Sequence, residues 1–142
     1  MPEDRPLKGE LVDRLNAALA WELRALTMYT HYAAYVQGIY RLHLKPFFES
    51  EATESLGHAN AVLAEIVKLG GEAVTQRDPT EIIHTTDYSV MLGEAMKTER
   101  HAVTSYQAFL QLPDLDAELF DAIEQIYFME ARSVEELNRL LP

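Results

Sequence analysis

Glycine and proline divide this chain into four long segments that are typical of helices. The six glycines and six prolines among 142 residues fall mainly at the ends of these segments. Because both residue types interrupt or end helices, we predict helices over about 7–37, 44–69, 87–112 and 115–141. None of these segments alternates apolar and polar residues as a half-buried strand does. The sequence therefore predicts an all-α protein.

Individual residues mark the predicted helix ends. We expect Gly38 to end the first helix, and Gly70 lies where the second should stop. Pro46 is expected in the first turn of the second helix, because a helix tolerates proline there. Asp87 or Thr86 is expected to cap the third helix, since both side chains can accept hydrogen bonds from free backbone amides.

The lengths of the connections predict how the helices pair. The links within the first and second pairs are short, whereas residues 72–86 form a connection of about fifteen residues without a helical period. Two helical hairpins joined by one long crossover form an antiparallel four-helix bundle. We predict a single domain of this kind over residues 1–142.

The composition excludes several classes of function. The net charge is −11, and the twelve lysines and arginines are scattered, which argues against a nucleic-acid partner. The absence of cysteine excludes disulfides and thiolate metal sites. A membrane span needs about 20 consecutive apolar residues, and no run in this chain is that long. The first ten residues, MPEDRPLKGE, contain no apolar signal segment. We therefore expect a cytoplasmic protein with no membrane partner, whose acidic surface attracts cations.

A polar residue interrupts the apolar stripe of every predicted helix near its midpoint. A buried carboxylate costs several kcal/mol unless it is paired or bound to a metal. Helices of similar length place their midpoints at one level of a bundle, so these residues should meet. Carboxylate oxygen and imidazole nitrogen together suit a hard or borderline cation. The pattern predicts a metal site; the interrupting residues are Glu22, Ser55, His58, Glu99, Glu130 and Ser133.

The two predicted hairpins also share a short sequence. Residues 22–29 read ELRALTMY and residues 99–106 read ERHAVTSY, with glutamate, alanine, threonine and tyrosine at matching positions. The first helix therefore corresponds to the third, and the second to the fourth. Tyr29 and Tyr106 each follow a stripe glutamate by seven residues, a spacing that by itself predicts only core aromatic residues.

The whole chain resembles the ferritin-like di-iron proteins, and bacterioferritin in particular. The segments LNAALAWELRALTMYTHYA and GHANAVLAEIVKLGG are similar to the first two helices of that family. Di-iron members use one Glu from each of two helices and a Glu-x-x-His from each of the other two. The resemblance implies that Glu22 and Glu99 are the single glutamates. It also implies that His58 is the first histidine, that Glu130 is a bridging glutamate, and that Tyr29 lies near the site.

Two positions depart from that pattern. Ser55 stands where the first bridging glutamate would be, and Ser133 stands where the second histidine would be. Glu51 and Glu54 each lie one helical turn before a site position, so either could replace a lost ligand. We expect Glu22, His58 and Glu130 to hold one metal, and Glu99 with Glu130 to hold a second one more weakly.

Two further differences from bacterioferritin bear on haem and assembly. Leu56 occupies the position of the family's haem-binding methionine, so no haem is predicted through that ligand. The family's fifth helix does not follow the fourth predicted helix, so a dimer or other small assembly is expected instead of a 24-subunit shell. We expect Leu19, Leu23 and Leu26 to be exposed and to form a second apolar face suited to homo-oligomerisation.

The residues and the resemblance together imply iron handling, with Fe(II) oxidised by O2 or H2O2 in a ferroxidase-type reaction. Tyr29 would then serve as an electron donor or hydrogen-bond partner. Iron is the expected metal, as one or two ions, and Mn or Zn are alternatives. Two other functions stay open: a small-molecule oxidase on the same fold, and a metal-poor structural or oligomerisation protein. A DNA-binding mini-ferritin is a weaker alternative, because the net charge is −11 and there is no basic tail.

Overall fold

The computed structural model describes residues 7–141, which form four helices and contain no strand. The helices are α1 (Lys8–Tyr35), α2 (Arg41–Lys68), α3 (Tyr88–Leu110) and α4 (Ala117–Leu140). The pairs α1/α2 and α3/α4 make the most extensive contacts, and residues 69–87 cross between them. The predicted all-α four-helix bundle is confirmed. None of the described helices is both long and apolar enough to cross a membrane.

Side-chain caps and left-handed glycines determine where the helices end. The Asp87 carboxylate accepts a hydrogen bond from the Ser89 amide at 2.8 Å, so Asp87 and not Thr86 caps α3. Asp116 caps α4 in the same way, which starts this helix two residues later than predicted. Gly38 and Gly70 have φ angles of 93° and 73°, a backbone conformation that favours glycine over any other residue.

The start predicted for the second helix was wrong. Helix α2 begins at Arg41, directly after the turn at Gly38, so Pro46 lies in its second turn and not its first. Arg41 stabilises this early start because its guanidinium donates to the carbonyl oxygens of Ala34 at 3.1 Å and Val36 at 2.8 Å. These are carbonyls at the end of α1, where helices lack internal partners.

Two apolar clusters fill the bundle, one on each side of a central polar layer. The first contains Met28, Tyr32, Phe48 and Met91, and the second contains Leu15, Val62, Ile66 and Ile123, among other residues. Leu19 belongs to the second cluster and is 3% exposed, so its predicted place on an outer apolar face was wrong. It lies one turn before Glu22 and packs inward because the helical period places both residues on the same face.

The crossover is fastened along α1 by long-range hydrogen bonds. Asn16 bonds the backbone of Glu72 and Val74. Arg24, which is buried, donates to the carbonyls of Thr80 and Glu81 at 3.0 and 2.8 Å. These contacts hold the long connection against the bundle and leave the four helix midpoints facing one another inside it.

Candidate metal centre

Each of the four helices contributes at least one buried acidic or imidazole side chain to the polar layer at the middle of the bundle. Glu22 of α1, His58 of α2, Glu99 of α3 and Glu130 of α4 are all 5% exposed or less. Each lies between residues of the two apolar clusters, because the apolar stripe of its helix continues on both sides. Four buried ionisable groups at one level need neutralising partners, since isolated charges are costly in such surroundings.

Glu22, His58 and Glu130 form what we call the histidine half-site. One donor atom from each of the three lies within 4.8 Å of the other two. His58 Nδ1 is 2.6 Å from Glu130 Oε1 and 3.7 Å from Glu22 Oε2. Within residues 7–141, this is the only group of three histidine, cysteine, aspartate or glutamate donors that lie so close together. The spacing allows all three atoms to contact one cation.

Glu99, Glu51 and Ser133 form what we call the serine half-site. The Ser133 hydroxyl donates to Glu51 Oε2 at 3.3 Å. Glu99 Oε2 is buried and has no hydrogen-bond partner among the described residues. Glu51 lies one helical turn before Ser55 on α2 and is buried, so its carboxylate lies inside the bundle. This half-site has two carboxyl groups and no histidine.

Glu54 lies on the other side of the His58 ring from the histidine half-site. Its Oε1 is 3.8 Å from His58 Nε2, whereas the half-site carboxylates approach Nδ1. His58 Nε2 is buried without a hydrogen-bond partner in the described structure. Ser55 is 3% exposed and contributes only a hydroxyl to the layer. Of the two replacement ligands considered, Glu51 therefore reaches the interior and Glu54 reaches the outer edge of His58.

Two tyrosines connect the single glutamates across the bundle. The Tyr29 hydroxyl of α1 donates to Glu99 Oε1 of α3 at 2.7 Å. The Tyr106 hydroxyl of α3 donates to Glu22 Oε2 of α1, also at 2.7 Å. Sequence reasoning placed Tyr29 near the site but gave Tyr106 no role. The shared sequence of residues 22–29 and 99–106 was the available signal, because it aligns the two tyrosines.

Burial and mutual repulsion control protonation in the layer. Burial, with the negative charge of Glu22 next in importance, raises the pKa of Glu130 well above its usual range. Burial also raises the pKa of Glu99, and burial with the charge of Glu99 raises the pKa of Glu51 to about 8. Burial opposes a charge on His58, but the hydrogen bond and charge of Glu22, together with the charges of Glu54 and Glu99, outweigh it and raise the pKa of His58. The layer without metal therefore holds protons that a cation would displace.

The donor set fits a divalent transition metal. The histidine half-site supplies two carboxylates and one imidazole, a mixture suited to Fe, Mn or Zn. A bound cation would supply the positive charge that the buried carboxylates lack, in place of the retained protons.

The chain matches the family model described as a ferritin-like domain over residues 12–141.

The chain belongs to the ferritin-like family. A ferritin-like di-iron-carboxylate protein from Bacillus anthracis str. Ames is 36% identical, with all of both chains covered and a TM-score of 0.85. The dodecameric thioferritin of Bacteroides fragilis, a bacterioferritin-related protein, is 25% identical, with 95% of this chain and 86% of that one covered and a TM-score of 0.86. The resemblance to the di-iron superfamily is thus confirmed.

More distant structures share the fold alone. A DPS protein from Vibrio cholerae O1 is 14% identical over 95% of this chain and 91% of its own, with a TM-score of 0.88. No curated protein matches the chain. The fold is therefore well supported by several relatives, whereas the reaction has to be argued from this chain's own site.

Proposed function

We propose that this ferritin-like protein binds Fe(II) inside its bundle and oxidises it. The observation that carries the proposal is the histidine half-site, where donor atoms of Glu22, His58 and Glu130 come within 4.8 Å of one another. These residues come from three different helices, and all three side chains are buried. Nothing in core packing requires two carboxyl groups and an imidazole to converge in this way.

Fe(II) is proposed as the substrate of this site. Carboxylate and imidazole ligands suit Fe(II), although the same donors also accept Mn(II) or Zn(II). The family of the Bacillus relative, named as di-iron-carboxylate, supports iron. We propose that Glu22, His58 and Glu130 hold one ion tightly. Glu99 and Glu130, with Glu51 as the replacement ligand, would hold a second ion more weakly, since Ser133 supplies no histidine nitrogen. Glu54 would assist from the outer edge of His58.

The proposed reaction balances with O2 or H2O2 as the oxidant. Each Fe(II) loses one electron on becoming Fe(III), so two irons supply the two electrons that reduce O2 to H2O2, or H2O2 to water. Protons are taken up by the reduced oxygen. Carboxyl groups that titrate near neutral pH, such as Glu51 with a pKa of about 8, can release such protons when the metal enters. Because the two irons supply both electrons, Tyr29 is proposed as the hydrogen-bond partner of Glu99 in the serine half-site.

A homo-oligomer is proposed as the working form. The Bacteroides relative is described as dodecameric, and Leu56, Leu63 and Val67 are exposed apolar residues on α2. A dimer or a larger closed assembly would cover such residues. We place the protein in the cytoplasm, where Fe(II) is available, and propose no haem.

The test is an anaerobic Fe(II) titration followed by oxidation with O2 or H2O2. The wild type should bind at least one ion per chain, and the double variant Glu22→Ala, His58→Ala should bind none tightly and lose oxidation. The variant His43→Ala, Glu135→Ala is the matched control, because both residues are exposed. If the site variant oxidised Fe(II) as fast as the control, the proposal would be wrong. Absence of binding in the wild type would favour the metal-poor structural alternative.

A further inference from the structure

A cavity of about 350 Å³ lies between α1 and α3, on the bundle surface beside the polar layer. Small-molecule sites usually have volumes of about 300–1,000 Å³, so the cavity suits a small ligand and not a protein segment. Small side chains make the space and aromatic ones form its walls; the main lining residues are Ala18, Trp21, Ala102, Ser105, Tyr106 and Phe109.

The path of the crossover explains why this part of the groove is open. The crossover covers the groove from Arg24 onward, where the guanidinium bonds Thr80 and Glu81. Asp78, whose amide donates to the Ala20 carbonyl at 2.9 Å, lies at the edge of the cavity. The crossover also bonds Asn16 of α1, and the cavity opens beside this line of contacts, between α1 and α3.

The aromatic wall of the cavity is fixed before any ligand arrives. The Trp21 indole donates to the Thr98 carbonyl at 3.0 Å. The Arg24 guanidinium lies 4.7 Å from the Trp21 ring centre, and the His101 ring centre lies 4.1 Å from it. Side chains held in this way lose little freedom on binding, which favours affinity.

Charges of both signs surround the mouth of the cavity. The positive charge of Arg14 is offset by the negative charge of Asp78, so the mouth has no strong preference for an anion or a cation. The hydroxyl groups of Thr104 and Ser105 lie among the lining residues and can exchange hydrogen bonds with a ligand. An uncharged ligand with one polar group therefore fits this surface better than a charged one.

We propose that the α1/α3 cavity binds a neutral planar aromatic molecule of one or two fused rings that carries a hydroxyl group. The aromatic walls favour stacked or edge-on contact with such rings. The ligand would lie beside Tyr106, whose hydroxyl bonds Glu22, and so one side chain away from the histidine half-site. Binding itself requires no metal, which separates this inference from the proposed Fe(II) oxidation.

The test is a calorimetric titration of the metal-free protein with 2-naphthol in the presence of a chelator. We expect saturable binding of one molecule per chain. The chain has a single tryptophan, so quenching of its emission by energy transfer shows that 2-naphthol binds near Trp21, and the variants described next locate it in the cavity. Heat that does not saturate, or saturable heat without quenching, would overturn the proposal.

Two filled-cavity variants and a matched control locate the ligand. Ser105→Phe fills the mouth from an exposed position, and Ala18→Leu fills the wall from a half-buried one. Each should weaken 2-naphthol binding by at least about tenfold. Ser50→Phe makes the same change at an exposed position on α2 and should bind as the wild type does. Equal affinity in Ser105→Phe, Ala18→Leu and Ser50→Phe, with unchanged melting temperatures, would exclude this cavity.

Discussion

The two half-sites share one fold and one surrounding core but differ in what they offer a metal. The histidine half-site brings an imidazole nitrogen within 2.6 Å of a Glu130 oxygen and 3.7 Å of a Glu22 oxygen. The serine half-site has Glu99 and Glu51, and the Ser133 hydroxyl serves Glu51 as a hydrogen-bond donor at 3.3 Å. The layer thus places carboxyl groups in both half-sites but an imidazole in only one of them.

The hydrogen-bond partners of the single glutamates are symmetric although the half-sites are not. Tyr29 bonds Glu99 and Tyr106 bonds Glu22, both at 2.7 Å. The asymmetry therefore arises from α2 and α4, which carry the two serines, and not from α1 and α3. If the difference is functional, changes in the two half-sites should have separable effects on the first and second ion.

The largest effect is expected from removing the imidazole. His58→Ala should weaken binding of the tight Fe(II) ion by about 100-fold or more, because a metal ligand is lost and two buried carboxyl groups stay without a cation. Anaerobic Fe(II) titration measures this change. His101→Ala, which removes a histidine outside the layer, is the control. A tight ion retained by His58→Ala would show that the histidine half-site is not the stronger one.

A gain of one ion is expected from restoring the missing histidine. Ser133→His should raise the number of Fe(II) ions held tightly from one to two per chain, because an imidazole would join Glu99 and Glu130. Ser133 is 6% exposed, so the larger side chain costs about 1–3 kcal/mol of packing energy. Ser133→Leu adds similar bulk without a ligand and should leave the ion count unchanged. Metal analysis after gel filtration distinguishes the two variants; a count equal to that of Ser133→Leu would contradict the prediction.

The stability of the metal-free protein should fall as pH rises toward 8. In the unfolded chain Glu51 ionises near its ordinary value of 4.5, whereas in the folded state its pKa is about 8. Between these values the folded state binds more protons, so its stability decreases with rising pH and levels off above the folded pKa. Glu51→Gln should remove part of this slope and stabilise the metal-free protein at pH 8 by about 1–3 kcal/mol.

Thermal melting with a chelator, from pH 5 to pH 8.5, measures that slope. Glu49→Gln is the matched control, since Glu49 lies on the same helix and is exposed. If Glu51→Gln melted at the wild-type temperature at every pH, the buried carboxyl of the serine half-site would not be the titrating group.

The fold and most residues of the polar layer could be predicted from the sequence, but the orientation of individual side chains could not. The apolar stripes and the breaks at Gly38 and Gly70 were enough to predict the bundle, since helical period and chain length determine which faces meet. The inward position of Glu51 could not be predicted, because residues one turn apart share a face and only packing decides which of them points inward.

The predictions from the sequence that were wrong or incomplete have local physical causes. Pro46 suggested a first helical turn, yet Arg41 caps the preceding helix and starts α2 earlier. Leu19 was placed on an outer face, although its spacing of three residues from Glu22 puts both on the inner one. Tyr106 received no role, because an apolar stripe does not reveal that a hydroxyl at its edge reaches a glutamate on another helix.

The smallest expected effects come from the two tyrosines, and they give the sharpest comparison of the half-sites. Tyr106→Phe leaves Glu22 Oε2 without its donor, so it should weaken the tight ion by about fivefold, equivalent to about 1 kcal/mol for one lost hydrogen bond. Tyr29→Phe removes the donor to Glu99 and should weaken only the second ion by a similar factor. Each variant serves as the control for the other in one two-phase Fe(II) titration. Equal effects of both variants on both phases would mean that the two ions share all their ligands, because a separable pair of half-sites requires each tyrosine to act on its own glutamate.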